Sequence, residues 1–320
     1  MKLDTALFNL RQGETLRLMD GIYALSDLST TFGVTSAADS RTTIEAVDGS
    51  RPIITHADGF PPGIAIPTNM NIYGIWFGGE RPVAMSGSRT IVMQKTALLE
   101  DCTIFGYING IQNGGDAHGN TYRRNRFARC GYQLYWHPIY VANGNASSES
   151  DGVLTEDCIF IGCEGYSVQY YHEPSWGVAQ YNFIGNALHG LAVQGDMSGP
   201  VSGNRNIIWN VTGNALYNAT PLGACDHNVW KGVANANQAE DSNYFVSPVP
   251  TAGTNPVVWQ ESDVAVNLGN SSANIDAACD ALEVAFEQSV EAIHADQAIE
   301  GNFTILAAVV TAWKSAAAGD

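Results

Sequence analysis

One feature limits what this chain can fold into: a glycine or asparagine returns about once every 25 residues, in step with other matched positions. Gly79, Gly106, Gly162, Gly185, Asn210 and Gly232 each lie four residues after an apolar or small residue or an amide, at Ile75, Cys102, Cys158, Tyr181, Asn206 and Asn228. Midway along these runs sit Phe77, Ile104, Phe160, Phe183, Ile208 and Trp230. Asn125 and Phe127 fit the same frame, with Arg129 at the turn position. A unit of this length, made of short apolar segments between Gly/Asn turns, cannot bury its own hydrophobic face and must stack on its neighbours.

The units are rich in Val, Ile, Tyr, Phe, Gly and Asn and show no helical period, so they are β rather than α. The column Phe77, Ile104, Phe127, Phe160, Phe183, Ile208, Trp230 is expected to form one interior stack, with coils about 4.8 Å apart as in a parallel sheet. Gly and Asn at the turn column suit a backbone with positive φ. Two residues before each apolar start lie Glu100, Arg123, Glu156, Asn204 and Asp226, and one residue before lie Asp101, Arg124 and Asp157. Opposite charges thus alternate up the stack, as neighbouring strands favour.

These columns, with the opening LDTALFNLRQGETLRLMDGIYALSD at residues 3 to 27, resemble the pectin-lyase-like superfamily of right-handed parallel β-helices. That superfamily includes polysaccharide lyases, glycoside hydrolases and phage tailspikes. The resemblance covers roughly residues 3 to 245 and implies an all-β solenoid whose first coil is capped by a short amphipathic helix. It does not choose among activities, because the same scaffold hosts many.

The expected organisation is an N-terminal cap over residues 1–13, a parallel β-helix over 14–245, an irregular wrap over 246–270 and a helical hairpin over 271–320. In the last part apolar residues return at helical spacing: Ile275, Cys279, Leu282, Phe286, Val290 and Ile293, then, after a break at Gly301, Phe303, Leu306, Val310 and Trp313. Such a hairpin either covers an end or flank of the solenoid or docks to another chain.

The formal net charge is −17 with 15 basic residues. Nucleic acid, anionic membranes and acidic polysaccharides are repelled by such an average surface, so neither nucleic-acid binding nor membrane insertion is expected. Four arginines fall together, Arg123, Arg124, Arg126 and Arg129. Pairing with carboxylates and an anion site are both open readings of that run, and the columns favour pairing. The six cysteines read as small apolar residues facing inward, with free thiols, and Cys102 and Cys158 two coils apart. No stretch is long and apolar enough to span a membrane. The first residues lack the apolar core of a signal peptide, which gives the expectation of assembly in a host cytoplasm.

Candidate chemistry concentrates in Tyr135–Tyr140 and Tyr170–Trp176. Aromatic rings beside polar tips suit the apolar faces and hydroxyls of a neutral sugar, so Trp136, His137, Tyr140, Tyr170, His172 and Trp176 are candidates for binding a glycan or partner. Glycoside hydrolysis needs two carboxyl groups flanking one bond, and the residues available are Glu173 with Asp196, or Asp116 with Asp151. The lyases of the resembled superfamily use a basic residue, and Lys231 with Arg205 is the spaced pair present. No His pair has metal-ligand spacing, and neither a metal nor another cofactor is expected.

Arg129 breaks the turn column. Either it takes the left-handed conformation, at roughly 1 kcal/mol or more against glycine, or the coil swings residues 132–140 outward. Both readings place the functional face at this coil and the next, around Trp136, His137, Tyr140 and His172. The resulting expectation is a non-catalytic, glycan-binding β-helix protein of a virion, associating with other virion proteins or with itself, for instance as a trimer. The alternative is a polysaccharide-degrading lyase or hydrolase.

Overall fold

The computed structural model describes residues 3–26, 29–31, 40–82, 89–114, 118–133, 135–142, 152–171, 176–193, 199–218, 223–233, 243–246 and 257–319. Each repeat contributes one strand to each of three sheets, as with Thr121–Arg123, Arg126–Ala128 and Ile139–Ala142. Among the described residues the sheets hold nine, eleven and eight strands, and successive coils pair in parallel throughout. This is the parallel β-helix that the resemblance implied. At the N-terminal end the helix α1, Leu3–Asn9, turns Leu3 and Leu7 into the core.

The interior of the second sheet is a stack read directly from its register: Phe77, Ile104, Phe127, Phe160, Ile184, Ile208 and Trp230. Phe127 and Phe160 stack with ring centroids 4.7 Å apart and planes 9° from parallel. Phe183 is not in this column. It pairs with Ile159 and Ile207 and faces outward. The expected frame slips by one residue in that coil, because Tyr181 and Asn182 both fit the start position; the left-handed turn residue there is Asn186, φ 49°, not Gly185.

Two corners carry positive φ, for different reasons. Between the second and third sheets the residues are Gly106, Arg129, Gly162, Asn186, Asn210 and Gly232. Between the first and second they are Asp101, Arg124, Asp157, Tyr181, Arg205 and His227, with φ between 52° and 57°. Side chains are tolerated there because a buried asparagine ladder holds the corner: Asn182, Asn206, Asn228 and Asn243 accept from the backbone N–H of Cys158, Asn182, Asn206 and Asn228 at 2.7–3.0 Å. A satisfied buried amide of this kind stabilises, whereas one left unpaired costs about 1–3 kcal/mol. Positive φ at Arg129 is therefore no peculiarity of that coil.

The C-terminal segment forms four helices, α2 Glu261–Leu268, α3 Ser272–Ala285, α4 Val290–Ala295 and α5 Ala298–Ala316. Gly301 lies inside α5 instead of breaking it, because the neighbouring residues Ile299, Phe303 and Leu306 keep one apolar face buried. The helices cover the outward side of the second sheet, where Ile53, Trp76, Phe105, Ile159, Phe183, Ile207 and Trp209 meet Leu282, Phe286, Phe303, Val310 and Trp313. Arg51 donates to the carbonyls of Ile293, His294 and Asp296 at the end of α4, a cation at the negative end of the helix dipole.

All four clustered arginines are paired. Arg123 binds Glu156 and Arg124 binds Glu100 and Asp101 along the stack, while Arg126 reaches Glu300 and Arg129 reaches Glu287 on the helical segment. The anion-site reading of that run ends there. All six cysteines are free and buried.

Candidate functional site

Among the described residues no such cover lies over the central strands of the third sheet. Alternation turns every second residue outward, and along successive coils these are Gln112, Tyr140, Gln169, Ala192 and Tyr217. Beside this row lie Asn109, His137 and Asn214, at the corner leading into the sheet, and Tyr166, the first residue of its strand. Together with Tyr135, Trp136 and Tyr171 they line a groove of about 580 Å³. Among the described residues the lining holds amides, tyrosines, one tryptophan and one imidazole, and no Asp, Glu, Lys or Arg.

The rim is built by one long corner. Ten residues, 129–138, join the second and third sheets in this coil, against three to six in the coils at 106–110, 162–165, 186–188 and 210–215. The excursion closes on itself through a bridge between Tyr132 and Trp136. It is clamped to the next coil at two glycines: a Cβ on Gly131 would lie 1.7 Å from the Glu164 carbonyl oxygen, and one on Gly165 would lie 2.1 Å from that of Trp136. Arg81 donates to the Gly131 carbonyl at 2.7 Å and pairs with Glu164 at 2.9 Å. Burial raises the Glu164 pKa, but the bonds from Arg81 and from the Gln133 N–H outweigh it and hold the carboxyl below its usual range. The result presents Tyr135 at 80% exposure above the groove.

The floor is a ladder of fixed donors. The Tyr166 N–H donates to Nδ1 of His137 at 2.9 Å, and the Asn214 N–H donates to Nδ1 of His189 at 3.0 Å. Each imidazole therefore carries its proton on Nε2. Desolvation, with the neighbouring His189 second, lowers the His137 pKa to about 4, and desolvation lowers that of His189 as well. Both rings are neutral near pH 7. The Tyr166 ring lies 4.8 Å from that of His189, and its hydroxyl oxygen accepts from Asn214 at 3.1 Å. Desolvation raises the Tyr166 pKa, so the hydroxyl keeps its proton.

Of the residues singled out in the sequence, Trp136, His137 and Tyr140 line this groove. Tyr170 does not: it is 1% exposed, pairs with Val141 and Val193 on the inward side, and packs in the core. Its neighbour Tyr171 takes the outward position. Trp176 sits at the corner leading back to the first sheet, its indole against Gly199, away from the groove lining. His172, Glu173 and Asp196, with Asp116 and Asp151, lie outside the described residues. Lys231 pairs with Asp276 at 2.8 Å and lies 4.5 Å over the Trp209 ring, while the Arg205 carbonyl accepts from Trp313. Both belong to the helix-covered side. Sequence reasoning missed Asn109, Gln112, Tyr166, Gln169, Asn214 and Tyr217. Gln112, Gln169 and Tyr217 were signalled as the polar or aromatic residue after an inward aliphatic of the third sheet, at Ile111, Val168 and Leu216, and Asn109, Tyr166 and Asn214 lie two residues before those same aliphatics.

Among the described residues no group of three or more His, Cys, Asp or Glu side chains is arranged to hold a metal. No protein-family model matches the chain, and no curated protein matches it. A solved structure described as a PL6 alginate lyase in complex with a trisaccharide is similar at 13% identity and a TM-score of 0.42, over 76% of this chain and 60% of that chain.

Proposed function

We propose that the protein binds an uncharged glycan along the open face of the third sheet. The observation that carries this reading is the groove lining: tyrosines and Trp136 for the apolar faces of sugar rings, and four amides for their hydroxyls, with no fixed charge among the described lining residues. Rigid aromatics give a large contact area at a low entropy cost, and the polar tips fix orientation. Binding without cleavage fits this lining better than bond breaking. Hydrolysis needs two carboxyl groups and proton abstraction from a uronate needs a base, whereas the described lining has neither carboxylate nor cation and its one imidazole, His137, has its acceptor nitrogen occupied. A binder of this kind suits an adsorption or decoration component of a virion, a setting that rests on the acidic charge and the scaffold class alone.

The test is isothermal titration of a panel of neutral and acidic polysaccharides, with each incubation assayed for new reducing ends and for unsaturated uronate absorbance. Saturable binding of a neutral glycan, weakened in Tyr140→Ala and unaccompanied by new ends, is the expected result. Turnover of any member of the panel would replace this reading with the enzyme one.

A further inference from the structure

Two side chains outside the groove lining tie down its rim. Resting on the glycan reading above, we infer that Arg81 and Glu164 are a positioning pair: together they fix Tyr135 and Trp136 in the geometry that receives a sugar ring, and so set affinity without lining the groove.

The register shows how far the pair reaches. Gly78, Phe105, Ala128 and Ile161 are neighbours up the second sheet, so Arg81, Ile108, Gly131 and Glu164, each three residues on, lie at the same offset in four successive coils. Coils are about 4.8 Å apart. The Arg81 side chain passes the coil of Ile108 to donate from Nη2 to the Gly131 carbonyl at 2.7 Å, while Nη1 pairs with Oε1 of Glu164 at 2.9 Å. Its guanidinium also lies 6.0 Å over the Tyr132 ring. The second carboxylate oxygen, Oε2, accepts from the Gln133 N–H at 3.0 Å. One carboxylate therefore joins the arginine to the rim two residues before Tyr135.

The rim needs such a tie. Gln133 has φ 54°, a left-handed backbone that is unfavourable for a residue with a side chain and persists where its surroundings hold it. The Tyr132 N–H spends its bond inside the excursion, on the Trp136 carbonyl at 3.1 Å, and Tyr135 is too exposed for packing to orient it. Both members of the pair are partly exposed, so their contribution to overall stability is small. Their value lies in order, because a ring already held in place loses less freedom when a ligand arrives. Arginine suits the task, since its planar fork serves a carbonyl and a carboxylate from two nitrogens at once, which a lysine ammonium does not reproduce.

The test takes the tightest-binding member of a panel of glucose, galactose, mannose and N-acetylglucosamine oligomers. It is titrated against the wild type, Arg81→Met, Arg81→Lys, Glu164→Gln and the Arg81→Met/Glu164→Gln double variant, and amide hydrogen exchange is followed in each protein. Arg81→Met is expected to weaken binding about tenfold, mainly through faster dissociation, and to speed exchange at Tyr132 and Gln133 while the strand Tyr166–Tyr170 stays protected. Arg81→Lys keeps the charge without the fork and should recover part of the affinity. The double variant should bind no more weakly than Arg81→Met, because the two residues act as a unit. It also removes the carboxylate that Arg81→Met leaves uncompensated, so the comparison with Glu164→Gln stands even if that single variant is unstable. Unchanged affinity in the folded Arg81→Met or double variant, additive losses in the double variant, or faster exchange spread equally over Tyr166–Tyr170 each overturns this inference and leaves the glycan reading standing. Binding of none of these oligomers, nor of any other neutral glycan, by the wild type overturns the glycan reading itself and this inference with it.

Discussion

The outer faces of the second and third sheets are made by the same coils, with the same alternation, and end in opposite states. On the second sheet the outward residues are Ile53, Trp76, Phe105, Ile159, Phe183, Ile207 and Trp209, and four helices cover them. On the third they are Gln112, Tyr140, Gln169, Ala192 and Tyr217, and all of these but Ala192 line a groove. A parallel coil must bury one side of every strand, but its other side is unconstrained by winding. In this protein one such side serves as a second core and another presents polar and aromatic side chains to a ligand.

The sharpest way to break that comparison is to truncate one residue on each face. Phe303→Ala in α5, where the ring is fully buried and Arg126 lies 4.8 Å over it, is expected to cost about 3–5 kcal/mol in urea denaturation. Tyr135→Ala on the open rim should change stability by less than about 0.5 kcal/mol. Equal losses would mean that the rim is part of the packed body.

Acid should separate the floor of the groove from the rest of the molecule. The unfolded chain takes up the His137 proton near pH 6.5 and the folded one only near 4, so stability from this group is full above that window and falls as the pH drops through it. The loss by pH 4 is roughly 2–3 kcal/mol. His137→Asn retains a side-chain oxygen for the Tyr166 N–H without the titration, and its stability should fall less between pH 6.5 and 4 than that of the wild type. Parallel curves for the two proteins would mean that the ring is not held neutral.

Smaller again is the effect of Tyr140→Ala, expected to weaken glycan binding about tenfold, or about 1.4 kcal/mol, with denaturation midpoints nearly unchanged because the ring is half-buried. The smallest concerns Arg129→Gly. Relief of a left-handed residue gains about 1 kcal/mol and loss of the Glu287 pair removes up to about 1 kcal/mol, so the melting temperature should stay almost constant. A large drop would show that the Arg129 contact anchors the helical segment.

The coils, the parallel stacking and the turn positions were legible because a 25-residue period repeats them many times, and one ambiguous coil does not disturb the rest. The location of the candidate groove was half legible. The run Tyr135–Tyr140 marked it, since a long corner rich in aromatics stands out from neighbours of three to six residues. The run Tyr170–Trp176 marked it imperfectly, since Tyr170 and Tyr171 are chemically alike and only the register turns one inward and the other out.

What the amino-acid order by itself determined is the winding: spacing, turn chemistry and alternating charge are local properties, and each is satisfied between adjacent coils. What only the tertiary structure decided is the use of each outer face. A side-chain period of two assigns residues to alternate sides, but a slip of one residue exchanges the sides, as it did for Phe183. Whether an outward aromatic row is a ligand surface or a buried seam depends on where a segment some hundred residues later comes to rest. The C-terminal helices settled on the second sheet because its outer side is mostly apolar over many coils and its cations Arg126 and Lys231 find carboxylates on the helices, whereas the third sheet's more polar row offers them no comparable area to bury.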